Sequence, residues 1–129
     1  MLILVGAPIQ YPDHAQRALL LAQRIREKGM EITASWSDRE LDLGVGVASG
    51  FVTVGVIGAA SRLEYTAVGP AVNLASRLCS EAAHGEILVD ARSIELLGEG
   101  SKGHRLMAGE ALQLKGFQHP VQSYTLSAA

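Results

Sequence analysis

The stretch Gly44-Val45-Gly46-Val47-Ala48-Ser49-Gly50-Phe51-Val52-Thr53-Val54-Gly55-Val56-Ile57-Gly58 holds two alternating runs in a row. Leu43, Val45 and Val47 alternate with Gly44, Gly46 and Ala48. Beyond Ser49-Gly50, Val52, Val54 and Val56 alternate again. A period of two is the mark of a strand, and two such runs across a Ser-Gly pair predict a hairpin.

Working outward, Gly58 to Gly69 reads as a loop, and Pro70 suits the first turn of a helix running to about Ala83. Val72, Ala75, Cys79 and Ala82 fall on one face of that helix, with Cys79 as a small apolar filler. Ile87-Leu88-Val89 predicts a short strand, Asp90 a helix cap, and 91–97 a short helix ended by Gly98. Two further strands are expected at about 104–115 and 120–126, flanking Gly116-Phe117-Gln118-His119. Upstream, Met1-Leu2-Ile3-Leu4-Val5 predicts a buried strand. Asp13 stands where an N-cap belongs, and Ala15, Ala18, Leu19, Ala22 and Ile25 repeat at helical spacing to Gly29. Met30 to Glu40 shows no clear period and reads as a connection. The order predicts an α+β domain, a mixed sheet with helices packed on it, as one unit over 1–129.

Composition narrows the function. Nearly half of the 129 residues are apolar and a fifth are charged, which is globular composition. A net charge of −2 gives no basic field, so no nucleic-acid partner is expected. The opening apolar run is too short for a signal core or a membrane span, which predicts a cytoplasmic protein. The single cysteine rules out a disulfide within the chain and fits a reducing compartment.

Most motifs of chemistry fail on inspection. Gly44-Val45-Gly46 opens like a dinucleotide fingerprint, but a valine-rich strand follows where a helix must bind the pyrophosphate. Gly98-Glu99-Gly100-Ser101-Lys102-Gly103 has the wrong spacing for a P-loop and reads as a turn. His14, His84, His104 and His119 stand singly, without the spacing of a zinc site, and no Gly-x-Ser-x-Gly elbow occurs.

One pattern survives. Gly44 to Gly50 is followed by Gly55-Val56-Ile57-Gly58, then by Arg62-Leu63-Glu64-Tyr65-Thr66-Ala67-Val68-Gly69. Val72-Asn73-Leu74-Ala75-Ser76-Arg77-Leu78 comes next, and Leu114-Lys115-Gly116 and Tyr124 close the series. This order and spacing resemble the class III adenylyl and guanylyl cyclases. Val5-Gly6-Ala7-Pro8 and Pro12-Asp13-His14-Ala15 look like a bacterial branch of that family, so the likeness spans nearly the whole chain. It is most specific from Tyr65 to Leu78.

The resemblance implies roles for four residues. Asn73 and Arg77 lie four apart and so share a helix face. In the family the matching Asn orients the ribose, and the matching Arg stabilises charge on the α-phosphate, a task suited to a permanently charged planar group. By spacing alone the plainer reading of the two is a solvated polar pair. Thr66 matches the position that contacts the purine, where Thr or Asp resembles adenylyl cyclases and guanylyl cyclases tend to carry Cys; a loop hydroxyl serving its own backbone is an equal alternative. Lys115 matches the lysine that reaches the substrate phosphates, with an ordinary lysine at a strand end as the alternative. Residue 70 is Pro where relatives often carry Asp.

The resemblance also implies what to expect around those residues. Family cyclases hold two divalent ions, Mg or Mn, on two Asp residues that match positions upstream of Met1; Asp13, Asp38, Asp42 and Asp90 match neither. No metal is therefore expected on this chain alone, and no appreciable turnover. The family sheet is palm-like, and its first strand lies between those matching 1–5 and 42–49. A gap is expected there, filled in a homodimer or oligomer or closed by direct pairing of those two strands. The implied function is part of an enzyme making cyclic AMP from ATP (or the GTP counterpart), with a non-catalytic dimerisation or nucleotide-sensing module as the alternative.

Overall fold

The computed structural model describes residues 1–7, 9–35, 43–59, 62–99 and 104–127. Helix α1 (His14–Ser35) is followed by strands β1 (Gly44–Val47), β2 (Thr53–Ala59) and β3 (Arg62–Val68). Helix α2 (Pro70–Glu81), strand β4 (Glu86–Asp90), helix α3 (Ala91–Leu97) and strands β5 (Leu106–Leu112) and β6 (Val121–Leu126) complete the chain. The main sheet has the order β1-β4-β6-β5, and β2-β3 forms a separate two-stranded ribbon. β1 and β4 run parallel, whereas β4-β6 and β5-β6 are antiparallel, so the sheet is mixed.

β4 organises the core because it is covered on both faces. Ile87 and Val89 point one way, into a cluster with Ala15, Leu19 and Ala22 of α1, Leu97 of α3 and Leu126 of β6. Leu88 points the other way, into a cluster with Leu78 of α2 and Leu114. A strand buried on both sides reads as an unbroken apolar run, which is why Ile87-Leu88-Val89 shows no alternation. Fully buried Leu19, Leu78, Ile87 and Leu126 each contribute roughly 1.5–3 kcal/mol by leaving water.

Five expectations from the sequence need correction. The valine runs do not pair with each other: β1 pairs with β4, and β2 pairs with β3 from Thr53↔Val68 to Ala59↔Arg62. Ser49-Gly50 is thus a passage between two sheets, and much of the stretch read as a loop over 58–69 is strand β3. Helix α1 does not stop at Gly29 but runs on to Ser35. A glycine inside a helix costs only about 1 kcal/mol, and at Gly29 the missing Cβ leaves room for the Leu43 side chain. Residues 1–5 form no strand, because no described strand lies beside them to complete a ladder, and Met1, Leu2 and Ile3 are exposed. Cys79 is exposed rather than a core filler, its thiol donating to the Gly44 carbonyl at 3.3 Å. Residues 36–40 of the expected connection lie outside the described residues.

The caps fare better. Asp90 caps α3 by accepting from the Ser93 amide at 3.0 Å, and Gly98 follows the helix with φ 54°. Asp13 stands just before α1, but its carboxylate accepts from Arg17 Nε at 2.9 Å. Among the described residues no helix is long and apolar enough to cross a membrane.

Candidate functional site

The site is built on the junction from β3 into α2. Gly69 turns the chain with φ 151° between Val68 and the first helical residue, Pro70, and its carbonyl accepts from the Asn73 amide at 3.2 Å. A Cβ at Gly69 would approach the Phe51 carbonyl at 3.2 Å, so the backbone conformation and the packing both favour glycine. Proline at this first position gives up no hydrogen bond, since its amide would have been an orphan. Thr66 lies on β3 opposite Gly55, three residues before Gly69; its side chain is outside the described residues.

Helix α2 is held close to β1. A Cβ on Gly46 would collide with the Ala75 carbonyl and the Cys79 amide, and one on Gly44 would crowd Ala82 Cβ at 3.1 Å. The two glycines are therefore a bed for the helix. Their alternation places both on the face toward α2, while Val45 and Val47 pack against the cluster on the opposite side.

On α2, Asn73 and Arg77 are exposed on one face, as their spacing predicts. Their immediate neighbours, Leu74 and Leu78, join the cluster around Leu88 and Leu114. Leu114 is in turn the residue before Lys115, which is exposed in the turn between β5 and β6 beside Gly116 at φ 90°. Three of the four expected site residues thus sit next in sequence to members of a single apolar cluster. The sequence did not announce Leu114 as part of the scaffold, because one leucine at a strand end carries no period.

The strongest electrostatic feature lies elsewhere. Asp90, 3% exposed, accepts from the Ser93 amide at 3.0 Å and from the Ser49 amide at 3.4 Å, and the Ser49 and Ser93 hydroxyls share a 2.6 Å hydrogen bond. Burial pushes the Asp90 carboxyl above its ordinary value, only partly offset by these donors. The cluster ties the chain just beyond β1 to the start of α3. By contrast, Arg17 holds the fully exposed Asp13 carboxyl below its ordinary value. The described residues do not suit the divalent ions that the fold family employs. No three His, Cys, Asp or Glu gather among them, and both described aspartates are engaged in the bonds just given. Asp38 and Asp42 lie outside the described residues. No step below is routed through a metal.

Comparison with known proteins agrees with this architecture. Residues 1–128 match the adenylate and guanylate cyclase catalytic domain, and the chain belongs to that family. Its structural neighbours are class III cyclase domains. The adenylyl cyclase CyaB from P. aeruginosa superposes with a TM-score of 0.84 at 28% identity, over 97% of this chain and 65% of that one. The guanylyl cyclase Cya2 gives 0.80 at 28% identity, over 95% and 62%. The guanylate cyclase domain of RhGC from Catenaria anguillulae, in complex with GTP, gives 0.78 at 26% identity, over 96% and 65%. Among curated proteins, the uncharacterized protein Rv1318c of Mycobacterium tuberculosis is 32% identical over 123 residues, which is 94% of this chain and 22% of that protein. The chain therefore spans about a fifth of that relative and under two thirds of the solved domains.

Proposed function

We propose that this chain is the portion of an adenylyl-type class III cyclase domain that contacts the nucleotide's ribose and phosphates. Its parent turns ATP into cyclic AMP and pyrophosphate in a cytoplasmic signalling protein. Asn73 orients the ribose and Arg77 faces the α-phosphate, where charge grows as the ring closes. Lys115 reaches the remaining phosphates, and Thr66 contacts the purine. A guanidinium fixed before the reaction stabilises developing charge without reorganising at the moment of transfer, worth about 3–4 kcal/mol for a single such contact. The divalent ions, Mg or Mn, and their carboxylates come from the rest of the parent domain. The site is completed in a homodimer, one chain supplying the metals and the other the Asn-Arg pair. The observation that carries this reading is the shared cluster of Leu74, Leu78 and Leu114, which supports the Asn73, Arg77 and Lys115 positions together.

A graft tests the reading. Residues 1–129 replace the matching segment of CyaB, which supplies the third of the domain that this chain does not span. The chimera is expected to make cyclic AMP from ATP in preference to cyclic GMP from GTP. A clear preference for GTP removes the role given to Thr66. A second reading is a module that binds nucleotide or dimerises without turnover. A folded, dimeric chimera that binds ATP yet yields no product decides for that second reading.

A further inference from the structure

Helix α2 carries Asn73 in its first turn, yet its own end does little to fix that turn. Its N-cap is Gly69, which has no side chain with which to cap, and Pro70 brings no amide. The passage from β1 to β2 seats this end instead. A Cβ on Gly50 would come within 3.2 Å of Ala71 Cβ. One on Gly69 would lie 3.2 Å from the Phe51 carbonyl and 3.3 Å from Val52 Cα. Residues 50–52 therefore lie directly against residues 69–71, and the Gly69 carbonyl accepts from the Asn73 amide at 3.2 Å.

The passage runs between two sheets, so neither ladder holds it in place. Its hold is a closed polar ring at Ser49. The Ser49 amide donates to Asp90 Oδ2 at 3.4 Å, and the Ser49 and Ser93 hydroxyls share their 2.6 Å bond. The Ser93 amide donates to Asp90 Oδ1 at 3.0 Å and closes the ring. Ser93 and Asp90 are 0% and 3% exposed, so the ring is fastened to the core. Apolar side chains could fill the same space without the burial that raises the Asp90 carboxyl. A fully bonded polar ring does what they would not: it admits one geometry. We propose that Ser49 and Ser93, locked by Asp90, are positioning residues that hold Asn73 in register for the ribose through the passage at 50–52. The inference rests on the reading of Asn73 as the ribose contact.

The hydroxyl bond can be removed from either side. Ser93→Ala takes away the hydroxyl that Ser49 meets and leaves the amide that Asp90 caps, so α3 keeps its cap. Ser49→Ala removes the same bond at a half-buried position, where the change is milder, and Ser49→Thr keeps it. Each variant is placed in the CyaB graft. Amide exchange is followed at Asn73 and at Val89 in the core, beside kcat and KM for ATP. Both alanine variants should speed exchange at Asn73 about fivefold, the worth of one hydrogen bond, and leave Val89 unchanged. Both should lower kcat about tenfold at nearly constant KM, as a loss of orientation does. Ser49→Thr should restore the exchange and the rate. Unchanged exchange at Asn73 overturns the proposal, and so does a rise at Asn73 and Val89 together, which is general loosening. A kcat that holds in both alanine variants while Arg77→Ala lowers it overturns the proposal and leaves the site reading standing. A graft that is inactive before any of these changes defeats the site reading, and with it the role given to Ser49 and Ser93.

Discussion

At the scale of single residues, the sequence showed the candidate polar groups and hid what holds them. Asn73 and Arg77 were visible as a pair four apart beside Tyr65-Thr66, and the structure puts both on an exposed face. Asp90 was legible only as a cap, because its second donor, the Ser49 amide, comes from 41 positions away. That buried carboxyl makes a specific prediction. Its folded value is raised above the ordinary 3.8, so the native state holds the proton more tightly than the unfolded chain does. Its contribution is fully present below 3.8 and is lost as pH rises through the folded value. Asp90 should therefore add a downward component to the slope of stability with rising pH, opposite in sign to that of Asp13, and Asp90→Asn should remove it in denaturant melts across the acid range. Asp90→Ala should cost about 1 kcal/mol through the lost cap of α3. An unchanged slope in Asp90→Asn would contradict this account of the carboxyl.

At the scale of elements, alternation gave the strands but not their partners. The runs at 43–47 and 52–56 look like a hairpin because both have period two and a Ser-Gly pair lies between them. The deciding contact is the collision that any side chain at Gly46 would make with α2, a long-range fact that no local window contains. With β1 bedded under that helix, the second run is left to pair with Arg62–Val68, whose alternation of Leu63, Tyr65 and Ala67 is as regular as its own. Helix α1 outran its expected end because one glycine costs less than the packing around it gains. Gly46→Ala should thus lower stability by about 1–3 kcal/mol through overpacking, a fall of several degrees in thermal midpoint for a chain of this size. Gly55→Ala, where a Cβ meets nothing within 4 Å, should be neutral or slightly stabilising. Equal effects at the two glycines would refute the helix bed. Leu114→Ala should cost about 2–5 kcal/mol, because it empties the cluster that α2 shares with the Lys115 turn.

At the scale of the whole molecule, the family resemblance told more than periodicity did: it named the mixed, palm-like sheet with helices packed on it. It did not show that the run at 1–5 would stand outside any ladder, since a strand exists only with a partner to complete it. The central claim is that this chain brings the Arg77 guanidinium to the α-phosphate, and one rate measurement reaches it directly. In the CyaB graft, kcat for cyclic AMP formation is compared between Arg77 and Arg77→Ala, with the fold and dimer checked by circular dichroism and sedimentation. The account predicts a fall of roughly 10²–10³-fold, with ATP binding largely kept and Arg77→Lys restoring only part of the rate, since a point charge lacks the planar fork. A folded, dimeric Arg77→Ala graft that turns over as fast as its parent would contradict it.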